Sequence, residues 1–179
     1  MSVLLVCEAA IRVRGLNRGA NASTAKVQAP KRALMTVVTR KAYYFEDLEL
    51  GMEATFEKTV QEADIAAFAE VSGDRNPVHL DREYAATTIF KEPIAHGLLT
   101  ASYISTVFGM EMPGPGAIYV SQTLNFKAPV RIGDTVTAKV VVVDLVPAKK
   151  RARFDCTCSV NGKVVLDGEA MMMVPGRPE

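Results

Sequence analysis

The chain has 179 residues, 49% of them apolar and 23% charged, with no Trp and a formal net charge of +1. That length suits one domain with a sizeable core rather than two, and no apolar run reaches the roughly 18–20 residues that a membrane span requires. Residues 1–41 hold eight Lys or Arg against the single acid Glu8, whereas residues 42–179 carry a net charge of −6, so the main body offers no basic field for nucleic acid.

Residues 1–41 lack periodicity and, beyond the short apolar run Val3 to Cys7, hold little that could be buried. A basic, disordered or loosely attached N-terminal extension is expected there, and then a single domain over residues 42–179. No basic side chain precedes the apolar run, which speaks against a secretory signal. Two readings of the extension remain. It resembles an organellar transit peptide, although only Ser2 and Ser23 supply serine hydroxyls. Alternatively Met35 is the working start, and we favour this because the residues after Met35 already make a complete domain.

Residues 54–60 read as a strand. Thr59 stands three before Glu62, a capping-box spacing. The helix this starts should run to about Val71, with Ile65, Phe68, Ala69 and Val71 as its apolar stripe. Gly73 terminates it, and Pro77 disfavours helix at Asn76. A short helical turn fits Asp81 to Thr87. Residues 96–110 form the most apolar helical candidate, and a helix apolar nearly all round should be buried. Pro113-Gly114-Pro115-Gly116 is a loop.

The remainder is β, with strands over Ala117 to Phe126, Asp134 to Leu145, Arg151 to Val160 and Lys163 to Val174. Asn161-Gly162 joins the last two and is a strong hairpin signal. Ala152, Phe154, Cys156, Cys158 and Val160 alternate with polar residues, so one face is buried and the other wet. Val164, Leu166, Ala170, Met172 and Val174 answer on the partner strand. The expected class is α+β, a long buried helix covered by one face of an antiparallel sheet. The three cysteines have no framework spacing. They do not read as a disulfide scaffold, and Cys156 and Cys158, two apart in an alternating strand, read as small core residues in a reducing compartment.

Only two histidines occur, His79 and His96. Asp74 and His79 stand five apart across a Pro-containing turn, which can bring both side chains to one site. A carboxylate and an imidazole together can hold one water, take its proton and return a proton to the product. The plainer reading is that Asp74 caps a turn and His79 is a satisfied loop histidine. Asn76 can support the turn by bonding backbone groups. Gly97 begins the most buried helix, where free N–H groups and positive dipole gather. Gly there lets a ligand approach the backbone, and one donor to a developing oxyanion is commonly worth about 3–4 kcal/mol of barrier. Otherwise Gly97 merely starts the helix. His96, with no acid partner evident beside it, reads first as a satisfied core or boundary residue. Lys127, Arg131 and the run Lys149-Lys150-Arg151 with Arg153 could meet phosphates, although a charge run is more often a solvated turn.

Asp74-Arg75-Asn76-Pro77-Val78-His79 matches the D-x-N-P-x-H motif of the MaoC-like dehydratase and (R)-specific enoyl-CoA hydratase family. PIAHGLLTAS, residues 93–102, resembles that family's second signature, and the resemblance spans roughly residues 42–179. It implies a hot-dog fold, a long central helix wrapped by an antiparallel β-sheet, usually as a homodimer. It also implies reversible syn hydration of a trans-2-enoyl-CoA to a (3R)-3-hydroxyacyl-CoA. Asp74 and His79 would then activate one water for attack at C3 and protonate C2, and the Gly97 N–H would hold the thioester oxygen. Asn76 and Ser105 would support the site, with His96 beside them. The family needs no metal or redox cofactor, coenzyme A being part of the substrate. The sequence agrees in that its histidines are separated by sixteen positions with no acid cluster. A 3-hydroxyacyl-ACP dehydratase, with an acyl-ACP substrate, or a branched or dicarboxylic acyl-CoA hydratase would use the same pair. A non-catalytic acyl-CoA-binding module is disfavoured because both Asp74 and His79 are present. No membrane or nucleic-acid partner is expected. The expected location is cytoplasmic, or the mitochondrial matrix if residues 1–41 act as a transit peptide.

Overall fold

The strand with the clearest alternation lies at the centre of the sheet. The computed structural model describes residues 42–178. The expectations for the N-terminal extension, its start and its targeting therefore lie outside the described residues. The elements are β1 (Glu53–Thr59), α1 (Glu62–Ser72), α2 (Pro77–Leu80), α3 (Arg82–Thr87), α4 (Gly97–Met110), β2 (Ile118–Gln122), β3 (Asn125–Phe126), β4 (Thr135–Val146), β5 (Arg151–Val160) and β6 (Lys163–Met173). The strands form one antiparallel sheet in the order β1-β4-β5-β6-β2, with β3 also paired to β6. Asn161 and Gly162, both at positive φ, make the β5–β6 turn, as a two-residue hairpin requires.

Helix α4 packs on one face of this sheet, in line with the α+β expectation. Leu99, Tyr103, Ile104, Val107 and Phe108 are its buried side chains, and they meet Val140, Phe154, Cys156 and Cys158 in one core cluster. Phe108 and Phe154 contact edge to face at 5.0 Å. Cys156 and Cys158 are fully buried free thiols, and burial pushes both up to about 12. No helix among the described residues is long and apolar enough to cross a membrane.

Several local expectations are corrected. Thr59 does not cap α1. It is paired in β1, its hydroxyl bonded to that of Thr135 at 2.8 Å. The cap is Gln61, whose N–H donates to the Asp64 carboxylate at 2.8 Å. Val71 leaves the apolar stripe and is 83% exposed, because α1 covers the core only through Ile65, Ala69 and part of Phe68. Helix α4 is not buried all round either. Leu98, Ser105 and Gly109 lie on its open side. The strand expected over Ala117 to Phe126 is two strands, broken where Thr123 bonds Glu169 through both its hydroxyl and its N–H. Between Cys158 and Ser159 of β5 the pairing with β6 slips by one residue, so Val165 turns inward and Val164 is exposed. One extra residue in a ladder reverses the faces on either side of it.

Candidate active site

The site begins where α1 ends. Gly73 takes the left-handed conformation, φ 78°, and its N–H donates to the Ala69 carbonyl at 3.0 Å. Gly adopts this backbone without the steric cost other residues incur. The chain then turns sharply. The Asp74 N–H donates to Ser72 Oγ at 3.2 Å, and the Asn76 N–H donates to Asp74 Oδ1 at 3.2 Å. Asn76 Oδ1 accepts from the Val78 N–H at 3.1 Å and so caps α2. Pro77 sits at the first helical position, where its missing N–H costs nothing. Asn76 thus supports the turn as expected. The plainer reading of Asp74 is half realised too, since one of its oxygens serves the turn.

His79 is half-buried on α2, and its Nδ1 lies 2.8 Å from the Ile94 carbonyl. A carbonyl only accepts, so Nδ1 carries the proton and Nε2 of the neutral ring keeps its lone pair. Ile94 is itself held, bridging to Arg131, while the next N–H, of Ala95, donates to Val130 at 2.8 Å. Burial holds His79 below its ordinary value of 6.5; nearby His96 lowers it further, while the Ile94 bond and the charge of Asp74 oppose.

His96 is buried at 2% exposure, and its Nε2 lies 3.0 Å from the backbone carbonyl of Asp74. Its ring faces that of His79 at 3.8 Å between centroids, tilted by 31°, and also contacts the Phe68 ring at 5.0 Å. The missing acid partner is therefore a main-chain carbonyl. His96 Nδ1 has no hydrogen-bond partner among the described residues.

These groups open onto a cavity of about 660 Å³, within the range of small-molecule sites. Its walls are largely apolar, with Phe90, Ile94, Phe126, Val130 and Leu166 among them, and Gly97 lines it at the start of α4. The first N–H groups of a helix have no helical acceptor and are free for a ligand oxygen. The space above the Gly97 α-carbon, however, is taken. A Cβ there would stand 2.7 Å from the ring of Phe126. Gly97 is small because a ring must approach it, not only because a ligand might. Phe126 is thus a pocket residue that no sequence pattern marked.

Ser105 is not brought to this cavity. It is exposed on α4, eight residues beyond Gly97, about 12 Å along the axis at the usual helical rise. Most candidate phosphate-binding cations are already matched by carboxylates. Lys127 pairs with Asp167, Arg131 with Glu92, Lys150 with Glu46, and Arg153 with Asp144 and Glu169. Of these only Lys127 lines the cavity.

Folding also removes the ground on which the sequence discounts a metal site. Asp74, His79 and His96 each offer a ligand atom, all within 4.8 Å of one another. Yet each ring already spends one nitrogen on a main-chain carbonyl, His79 Nδ1 on Ile94 and His96 Nε2 on Asp74, and three groups fall short of the four ligands of a closed structural zinc site. What the arrangement can do unaided is hold a water between a carboxylate and an imidazole lone pair.

The profile of the MaoC like domain matches residues 47–165. The chain belongs to the MaoC-like family. This MaoC-like chain is 58% identical over 135 residues to an (R)-specific enoyl-CoA hydratase of Rhodospirillum rubrum, covering 75% of this chain and 94% of that protein. It is 55% identical over 139 residues to a 3-hydroxybutyryl-CoA dehydratase of Methylorubrum extorquens, covering 78% and 88%. Among solved structures, an unliganded R-hydratase from Pseudomonas aeruginosa superposes with a TM-score of 0.74 at 45% identity, over 77% of this chain and 89% of that one. The MaoC-like match contains Asp74, Asn76, His79, His96 and Gly97.

Proposed function

We propose that this chain is an (R)-specific enoyl-CoA hydratase, adding water reversibly and syn across a trans-2-enoyl-CoA to give the (3R)-3-hydroxyacyl-CoA. The observation that carries the reading is the meeting of Asp74 and His79 at one apolar cavity beside the start of α4, with His79 Nδ1 spent on the Ile94 carbonyl. One water donates hydrogen bonds to the carboxylate and to Nε2. Its oxygen bonds to C3 as the pair takes a proton. The pair then returns a proton to C2 on the same face, so H and OH add together. The carbonyl oxygen gains charge in between, and the Gly97 N–H stabilises it. The apolar walls raise the value of these dipoles by excluding water. The reaction asks for no further cofactor, coenzyme A being part of the substrate.

Crotonyl-CoA mixed with the protein should lose its conjugated-enoyl ultraviolet absorbance rapidly, with (3R)-3-hydroxybutyryl-CoA as the product. A protein inert toward crotonyl-CoA and longer enoyl-CoAs alike, or one making the (3S) product, would sink the reading.

The working unit of this reading is a pair of chains. Among the described residues strand β2 has a hydrogen-bonded neighbour on one side only, and Ile118 and Val120 on it are 53% and 42% exposed. An apolar edge of this kind is normally covered, and the open side of α4, with Leu98 59% exposed, offers a second copy more apolar surface. Light scattering should give a mass near twice the 19.4 kDa of one chain; a monomer at micromolar concentration would refute the pairing.

A further inference from the structure

We propose that His96 is a positioning residue whose Nε2–H, by holding the Asp74 backbone carbonyl, sets the catalytic pair against the start of α4. This deepens the assignment of Asp74 and His79 and rests on it. Four observations carry it. His96 is 2% exposed, yet it commits its one donor to a turn residue 22 positions earlier, at 3.0 Å. That turn is otherwise held by the Ser72 hydroxyl at 3.2 Å, by the solvent-exposed ion pair of Arg75 with Glu70 and by bonds among its own members. The His96 ring lies against both His79 and Phe68, at 3.8 and 5.0 Å between centroids, so the donor has little freedom to turn away. Finally, His96 is the residue before Gly97 and stands at the N-terminal boundary of α4.

One side chain therefore links three parts of the site. It bonds the residue carrying the carboxylate, lies against the imidazole, and precedes the N–H that would receive the substrate oxygen. Without the bond the Asp74 turn would be free to drift relative to the α4 terminus. A drift of that kind costs rate rather than binding, because the cavity walls are unchanged and only the reacting groups are misplaced.

The test uses His96→Gln, whose amide N–H can replace the donor, and His96→Phe, which keeps a ring in the stack without one. With enoyl-CoA, His96→Phe should lose about 100-fold in kcat, the scale of a 1 Å misplacement, while KM stays within about threefold of wild type. His96→Gln should recover most of that kcat. A His96→Phe variant with near wild-type kcat, or a His96→Gln variant as impaired as His96→Phe, would overturn the proposal. If His96→Phe does not fold, the kcat of His96→Gln alone decides. Long-range ¹⁵N imidazole spectra of the wild type give a reading independent of turnover: His96 should be protonated on Nε2 and His79 on Nδ1. A His96 protonated on Nδ1 would end the proposal. A wild type inert toward enoyl-CoA with these tautomers in place would instead defeat the hydratase reading and leave the tie standing.

Discussion

Asp74→Asn should lower kcat for enoyl-CoA hydration by about 10²–10⁴-fold, the usual worth of a positioned acid–base group. The change is nearly isosteric. An Asn at this position keeps an oxygen able to accept from the Asn76 N–H, so the turn that now closes at 3.2 Å survives. Asp74 is exposed, and its replacement strands no buried charge, so stability should move by no more than about 0.5 kcal/mol. What disappears is basicity, since an amide neither takes a proton from water nor holds one for C2. Removing the carboxylate also removes a charge that favours the imidazolium of His79. Residual activity should therefore keep its neutral base to lower pH than the wild type does. Steady-state kinetics beside a urea melt checks all three points, and near-full turnover in a folded variant would remove Asp74 from the mechanism.

His79→Ala should cost a similar factor, about 10²–10⁴ in kcat. The double variant with Asp74→Asn should be little worse than either single one, because the two groups handle the same water. Additive losses would show that they act in separate steps. The pH dependence carries its own sign. Burial holds the folded His79 below 6.5, so the neutral form persists below that pH, and kcat/KM should begin its acid decline on the acid side of 6.5. For stability, the unfolded imidazole binds its proton more tightly than the folded one. The folded state is therefore undisturbed above 6.5 and loses stability as the pH falls from 6.5 toward the folded value. His79→Ala should lack this part of the acid destabilisation. Urea midpoints of both proteins on either side of that pH would reveal the difference.

The parts of this molecule legible in its sequence are those where local pattern and global packing agree. Strand β5 alternates because it lies mid-sheet with one face on α4. The Asp74 to His79 turn is legible because Asp74, Asn76, Pro77 and His79 stand close together in the chain. The start of α1 is ambiguous in sequence because two capping frames overlap, Thr59 with Glu62 and Gln61 with Asp64. Only the pairing of Thr59 with Thr135 decides between them. Alternation sets Val164 on the wrong face because a single extra residue in a ladder leaves no trace in the pattern. His96 looks partnerless in sequence because its partner is a main-chain carbonyl, and every residue carries one of those. The ring of Phe126 reaches Gly97 across 29 positions, through a bend of the edge strands that nothing in their composition announces.

The pair of thiols at the sheet centre gives the protein an internal stopwatch. A thiol reacts with alkylating reagents as its thiolate, and at Cys156 and Cys158 burial all but forbids that form while the strands are closed. Label reaches them when β4, β5 and β6 part from α4, so its rate of incorporation at these two positions times how often the core breathes. Any ligand that clamps the start of α4 would be visible as a slower clock.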